Sequence, residues 1–161
     1  MTHDAFMRQA ITTAQAAQKD GGVAIGAVLV HAATGKVVAT GESLVGITKD
    51  PTSHAEINCI RTASKQLHTD DLYDYTLYCT LEPCSMCLGA AAWARIPHVY
   101  FGAYRKDVDA SLFDTDTPND EARAPHMNLR EATSMQVQGG ILEHECASLL
   151  AGYHDRAKHG A

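Results

Sequence analysis

YDYTLYCTLEPCSMCLGAAAW, residues 73–93, reads as a strand that hands the chain directly to a helix. Tyr73–Thr80 is rich in aromatic and β-branched side chains, which suit a pleated, half-buried surface. Pro83 fits the first turn of a helix, where its missing N–H costs nothing, and the small and apolar residues beyond it predict helix to about Arg95. Cys84 and Cys87 stand three apart at that helix start. Both thiolates can therefore face one point, and the positive end of the helix favours their ionised form.

Upstream, Phe6, Ala10, Ala14 and Ala17 recur at helical spacing and predict an amphipathic helix over Asp4–Lys19. Two β segments follow, Ala24–Val30 and Lys36–Thr40, joined by a small-residue turn at Gly35. Glu42–Lys49 has no firm period and reads as a loop. Pro51, Thr52 and Ser53 suit the opening of a second helix, and Ile57, Ile60, Ala63 and Leu67 supply its buried stripe. Downstream, HVYFGAY at 98–104 is another strand. Residues 106–128 are rich in Asp, Thr, Asn and Pro and read as a surface excursion. A last strand near Ser134–Gln138 leads to a helix from Ile141 to about His154, and residues 155–161 form a flexible tail. Helices alternating with strands imply one α/β domain over 1–161, a sheet covered by helices on both faces.

The chain has 161 residues, enough for a hydrophobic core, with 45% hydrophobic and 20% charged residues. No apolar run is long enough to span a bilayer, and the start MTHDAFMRQA lacks the features of a secretory signal, so a cytoplasmic setting with no membrane partner is expected. Five cysteines, an odd number, suit reduced thiols. The net charge is -6, from 13 basic and 19 acidic residues, which weakens a nucleic-acid reading without excluding a local basic patch.

His54 adds an imidazole from the start of the second helix. Two thiolates and one imidazole fill three corners of a tetrahedron, the pattern of a zinc ion whose fourth position stays open for water, and this predicts catalysis. A thioredoxin-like redox pair and a closed structural zinc site completed by Cys59 or Cys79 are the competing readings. Both of those cysteines, and Cys146, look like small core hydrophobes. Glu56 is either the acid–base group of such a centre or a solvated first-turn acid favouring the helix dipole. Residues two apart diverge in mid-helix, so His54 and Glu56 can share a site only in the opening turn.

With these residues in order, His54-Ala55-Glu56 and Pro83-Cys84-Ser85-Met86-Cys87, the chain resembles the zinc-dependent cytidine and deoxycytidylate deaminase superfamily. The resemblance implies a three-layer α/β/α fold around a five-stranded mixed sheet, and one Zn2+ per subunit on His54, Cys84 and Cys87. It also implies Glu56 as the proton shuttle of a hydrolytic deamination, and a homodimer. Backbone N–H groups near Ala55 and Cys84, at two helix starts, could bind a ring carbonyl or the developing tetrahedral centre. Glu82 could hydrogen-bond a neighbouring peptide or face water.

Three branches of the superfamily compete. Cys87-Leu88-Gly89-Ala90, Trp93 and the segment ending Phe113-Asp114 look like bacterial guanine deaminases, which makes Trp93, Phe113 and Asp114 candidate contacts for a small nucleobase-like substrate; read by themselves, Trp93 suits packing, Phe113 a core plug and Asp114 a solvated loop acid. DPTSHAEI and Gly140-Ile141-Leu142 through Leu150 look like tRNA adenosine deaminases, although the tail here has only two Lys/Arg residues where those enzymes end in a basic helix. Gly21–Gly26 resembles cytosine deaminases. All three branches usually hold the base through an asparagine after the second strand, and Ser43 stands there in this chain, with one hydroxyl where an amide offers both a donor and an acceptor. Outside enzymology, the motif would suit a zinc-stabilised binding module with a basic face.

Overall fold

The computed structural model describes residues 2–108 and 134–151. Helix α1 spans His3–Lys19 and strands β1 and β2 span Gly26–His31 and Val37–Glu42. A single turn of helix, α2, covers Val45–Thr48, and α3 covers Ala55–Leu67. Strand β3 (Tyr75–Leu81) leads into α4 (Ser85–Trp93), then β4 (His98–Ala103), a 3-10 turn at Arg105–Asp107, β5 (Gln136–Gln138) and α5 (Glu143–Ser148).

The five strands form one sheet in the order β2-β1-β3-β4-β5. β1 is antiparallel to both β2 and β3, while β3, β4 and β5 run parallel, so the sheet is mixed. Parallel neighbours need a crossover, and α4 supplies the one from β3 to β4. Alternation along the strands then divides the core. Leu29, Leu77, Cys79, Val99 and Phe101 pack with Ala55, Cys59 and Ala63 of α3 and Leu88 and Ala91 of α4. Val28, Val30 and Tyr78 face the other way and pack with Phe6, Met7 and Ala10 of α1 and Cys146 of α5. Burial of Phe6 and Met7 contributes about 1.5–3 kcal/mol each toward seating α1. This is the expected three-layer arrangement. Cys59, Cys79 and Cys146 are core hydrophobes, as their apolar surroundings suggested. Among the described residues, no helix is long and apolar enough to cross a membrane.

The structure corrects local expectations at four places, one of them the last helix, which spans Glu143–Ser148 instead of opening at Ile141. The loop expected at Glu42–Lys49 contains α2, a single turn too short to leave a periodic trace. The helix expected to open at Pro51 opens instead at Ala55. The reason is Asp50: its Oδ1 accepts from Thr52 N–H at 2.8 Å and from Thr52 Oγ1 at 2.7 Å, closing a local turn that uses the proline outside the helix. The thiol-bearing helix likewise begins at Ser85, with Pro83 outside it.

Candidate active site

Two helices begin at one spot. α3 starts beside the end of β2 and α4 starts where β3 ends, and in each the residue just before the first turn carries a donor side chain. His54 is the N-cap of α3, with extended backbone at φ -72 and ψ 156. Cys84 is the N-cap of α4, at φ -73 and ψ 170, and its Sγ accepts from Cys87 N–H at 3.4 Å. Cys84 turns its thiol back over the free N–H groups of α4, while the His54 side chain makes no cap bond and instead brings Nδ1 to both thiols.

His54 Nδ1 lies 3.6 Å from Cys84 Sγ and 3.5 Å from Cys87 Sγ, and the three donor atoms all lie within 4.8 Å of one another. Zn–S near 2.3 Å and Zn–N near 2.0–2.1 Å at a tetrahedral angle require S···N of about 3.6 Å. The donor set therefore fits zinc in both type and size. The Cys84 thiol is held well below its ordinary value, first by its hydrogen bond with Cys87 and also by His54, while Cys87 is pushed up by that same hydrogen bond, by burial and by Glu56. No other group of three such donors occurs among the described residues.

Glu56, in the first turn of α3, is 4% exposed. Burial, followed by the charge on Cys84, raises its carboxyl above the ordinary range, partly offset by its own backbone N–H, by His54 and by Cys87. It is a buried carboxyl beside the donor triangle, not a solvated helix-capping acid.

Two devices place α3. Gly41 of β2 lies where a Cβ would overlap the Ala55 carbonyl oxygen and the Cys59 N, so the missing side chain allows β2 and the helix to touch backbone to backbone. Asn58 ties down the approach to His54: its Nδ2 donates to Glu42 O at 2.7 Å, Ser53 O at 3.2 Å and Ser53 Oγ at 3.0 Å.

A cavity of about 160 Å3 opens beside the triangle. Val23, Ile25, Val45 and Leu81 form its apolar wall, and His54, Glu56 and Cys84 form its floor. Ser43, Ala55, Glu82 and Arg105 complete it among the described residues. Of the residues singled out from sequence, His54, Cys84, Cys87, Glu56, Ala55 and Ser43 thus come together. Trp93 does not: it is 88% exposed, on the side of α4 opposite the buried Leu88, Ala91 and Ala92, and neither packs in the core nor lines the cavity. Phe113 and Asp114, like the tail at 155–161, lie outside the described residues. Sequence reasoning missed Val23, Ile25, Val45 and Arg105. Arg105 follows the carboxyl end of a strand in the parallel part of the sheet, the place where open α/β sheets collect ligands, and that rule could have found it. Glu82 settles in favour of a peptide partner, its Oε2 accepting from Arg105 N–H at 3.0 Å.

Residues 1–103 match the family model described as the cytidine and deoxycytidylate deaminase zinc-binding region. The chain is 41% identical over 115 residues to the guanine deaminase of Bacillus subtilis, an alignment covering 71% of this chain and 72% of that one. It is 40% identical over 157 residues to the chloroplastic tRNA(adenine(34)) deaminase of Arabidopsis thaliana, covering 90% of this chain but only 12% of that protein's length. Among solved structures, guanine deaminase from Nitrosomonas europaea superposes with a TM-score of 0.83 at 26% identity, covering 96% of this chain and 85% of that one.

Proposed function

The chain belongs to the cytidine and deoxycytidylate deaminase family, and from that membership we propose that it removes the exocyclic amine of a free nucleobase or related amino-heterocycle, with guanine, converted to xanthine and ammonia, as the lead substrate. Hydrolytic deamination is the reaction and zinc the cofactor. The observation that carries the reading is the placement of Glu56, a buried carboxyl lining the cavity beside the three-donor triangle.

Water must add its oxygen to the amine-bearing ring carbon, and the C–N bond must break to release ammonia. His54, Cys84 and Cys87 would hold the zinc, which when bound supplies a Lewis acid that makes water nucleophilic near neutral pH. Glu56 takes a proton from the attacking water, passes it to the adjacent ring nitrogen, and carries the second water proton to the departing amine. Its raised affinity for protons suits both directions of transfer. Ala55 N–H, in the open first turn of α3, donates to the oxygen that accumulates charge at a ring carbonyl. Val23, Ile25, Val45 and Leu81 keep water from the ring faces.

The net charge of -6 supports a small substrate, because phosphate contacts supply much of the affinity for nucleic acid. The second reading, a tRNA adenosine deaminase, draws on the 40% identity to the chloroplastic enzyme. We also propose a homodimer of single-domain cytoplasmic subunits: Met86 and Trp93, seven apart on α4, are 37% and 88% exposed and form one apolar stripe suited to a second copy.

The test is ammonia release by zinc-loaded protein from guanine, cytosine, adenine, isocytosine, pterins and aminotriazines, with loss of the target amine from tRNA measured in parallel. Release from guanine, reduced about 10²- to 10⁴-fold in Glu56→Gln with zinc retained, is expected. Amine loss from tRNA alone would overturn the free-base reading.

A further inference from the structure

We propose that Asn58 is a positioning residue: its amide joins the substrate-facing wall at Ser43 and Val45 to the reacting groups at His54 and Glu56, and fixes the gap between them. The proposal rests on the deaminase reading above and concerns what keeps a bound ring aligned with the groups that act on it.

The amide reaches backbone next to functional side chains on both sides. Asn58 Nδ2 donates to Glu42 O at 2.7 Å, the carbonyl just before Ser43. It also donates to Ser53 O at 3.2 Å and to Ser53 Oγ at 3.0 Å, one residue before His54. The Ser53 hydroxyl in turn donates to Asn58 Oδ1 at 3.3 Å. Ser53, 4% exposed, is shared by both sides, because its carbonyl accepts from Leu44 N–H at 2.9 Å, between Ser43 and Val45. Asn58 is itself seated in the first turns of α3, where its main-chain N–H donates to His54 O at 2.9 Å.

The cavity gives this link its meaning. Ser43 and Val45 stand on the chain leaving β2, whereas His54 and Glu56 stand at the opening of α3, and all four line the same space. A ring held by the first pair reacts only if the second pair stays in register, and a displacement of about 1 Å can lower turnover about 10²-fold. Apolar packing seats α3 against the sheet, but it is non-directional and tolerates sliding. An amide bonded on both sides fixes distance and direction together. Its two N–H groups are what the carbonyls require, so aspartate, with nearly the same outline, would fill the space and face those oxygens with a carboxylate that only accepts.

The experiment compares zinc-loaded wild type with Asn58→Ala, Asn58→Asp and Leu67→Ala, the last a core truncation at the far end of α3 that lowers stability away from the site. Each is assayed on guanine well below its own Tm, where the protein is folded. Both Asn58 variants should lower kcat about 10- to 100-fold with KM within about threefold, because the wall keeps its contacts while the reacting groups drift. Zinc affinity, measured by competition with a chromophoric chelator, should fall about 10-fold as His54 loosens. Leu67→Ala should keep both values. Wild-type kcat and zinc affinity in Asn58→Asp would overturn the proposal, since shape alone would then suffice. Equal kcat losses in Leu67→Ala and Asn58→Ala would also overturn it, by making Asn58 merely structural. If wild type turns over no free base, the deaminase reading on free bases fails, and zinc affinity then decides the role of Asn58 separately. A drop confined to the Asn58 variants supports it, and equal affinities refute it. Should alanine and aspartate prevent folding, Asn58→Ser, which keeps one donor in less space, is judged by the same criteria.

Discussion

Substitution of Gly41 by alanine offers a direct test of how the fold places the reacting groups. The backbone of Gly41 is not in the left-handed region, so alanine is conformationally acceptable and the perturbation is one of space alone. The added methyl would overlap the Ala55 carbonyl oxygen, the Cys59 N and the Cys59 Cβ. Two of these atoms are backbone, which cannot rotate aside, so α3 itself must move. Overpacking costs about 1–3 kcal/mol, and a backbone obstacle puts this case near 3. For a chain of this length that is a fall in Tm of about 6–12 °C. His54 and Glu56 lie at the very end of the displaced helix. A shift of about 1 Å there can lower kcat about 10²-fold, as misplacement at a reacting centre does. Thermal melts and steady-state kinetics on zinc-loaded protein provide the readout, with Thr40→Ala, at the exposed neighbouring position, as control. If Gly41→Ala melts and turns over like the control, the close approach of β2 and α3 does not position the site.

Chelation of the zinc should lower Tm, since metal that binds only the folded state stabilises it by mass action; an unchanged melt after metal analysis confirms removal would refute a role in joining α3 to α4. Alkaline titration should destabilise the protein in a defined window. Burial raises the thiol of Cys146 to about 12 and that of Cys79 well above its ordinary value of 9.0, and raises the Tyr78 hydroxyl from 10.0 to about 12. The unfolded chain therefore releases these protons first. Stability is full below about pH 9 and is lost as pH rises toward 12, and Cys146→Ala should flatten that slope in urea melts. Trp93→Arg should turn a dimer into a monomer in light scattering while leaving Tm of the subunit nearly unchanged, because the side chain is exposed in the single chain; an unaltered mass would rule out α4 as the pairing face.

The pattern Asp4–Lys19 was readable because α1 buries one stripe against a sheet, and a 3.6-residue period records that directly. The donors His54, Cys84 and Cys87 and the carboxylate of Glu56 were readable because their chemistry demands particular side chains at particular spacings. What failed to show was backbone business. Asp50 decides where α3 opens by bonding Thr52, and a proline alone cannot reveal whether it stands inside the first turn or before it. Trp93 carried a likeness to guanine deaminases beside a packing reading, and which way it faces depends on which side of α4 meets the sheet, about which an Ala-rich helix says little. Arg105 and Val23 gain meaning only when β4 and the segment before β1 end at the same cavity.

The reacting groups all fall between His54 and Cys87, whereas Val23, Ile25, Ser43, Val45 and Arg105 reach the same cavity from chain on either side of that interval. On the proposed function, the zinc ligands and the proton-transfer carboxyl therefore lie in one stretch of the chain, while five of the residues that would face the ring lie outside it. A library randomised at those five flanking positions should yield proteins that keep zinc and proton transfer while exchanging one ring for another, which makes this scaffold a starting point for tailored deaminases.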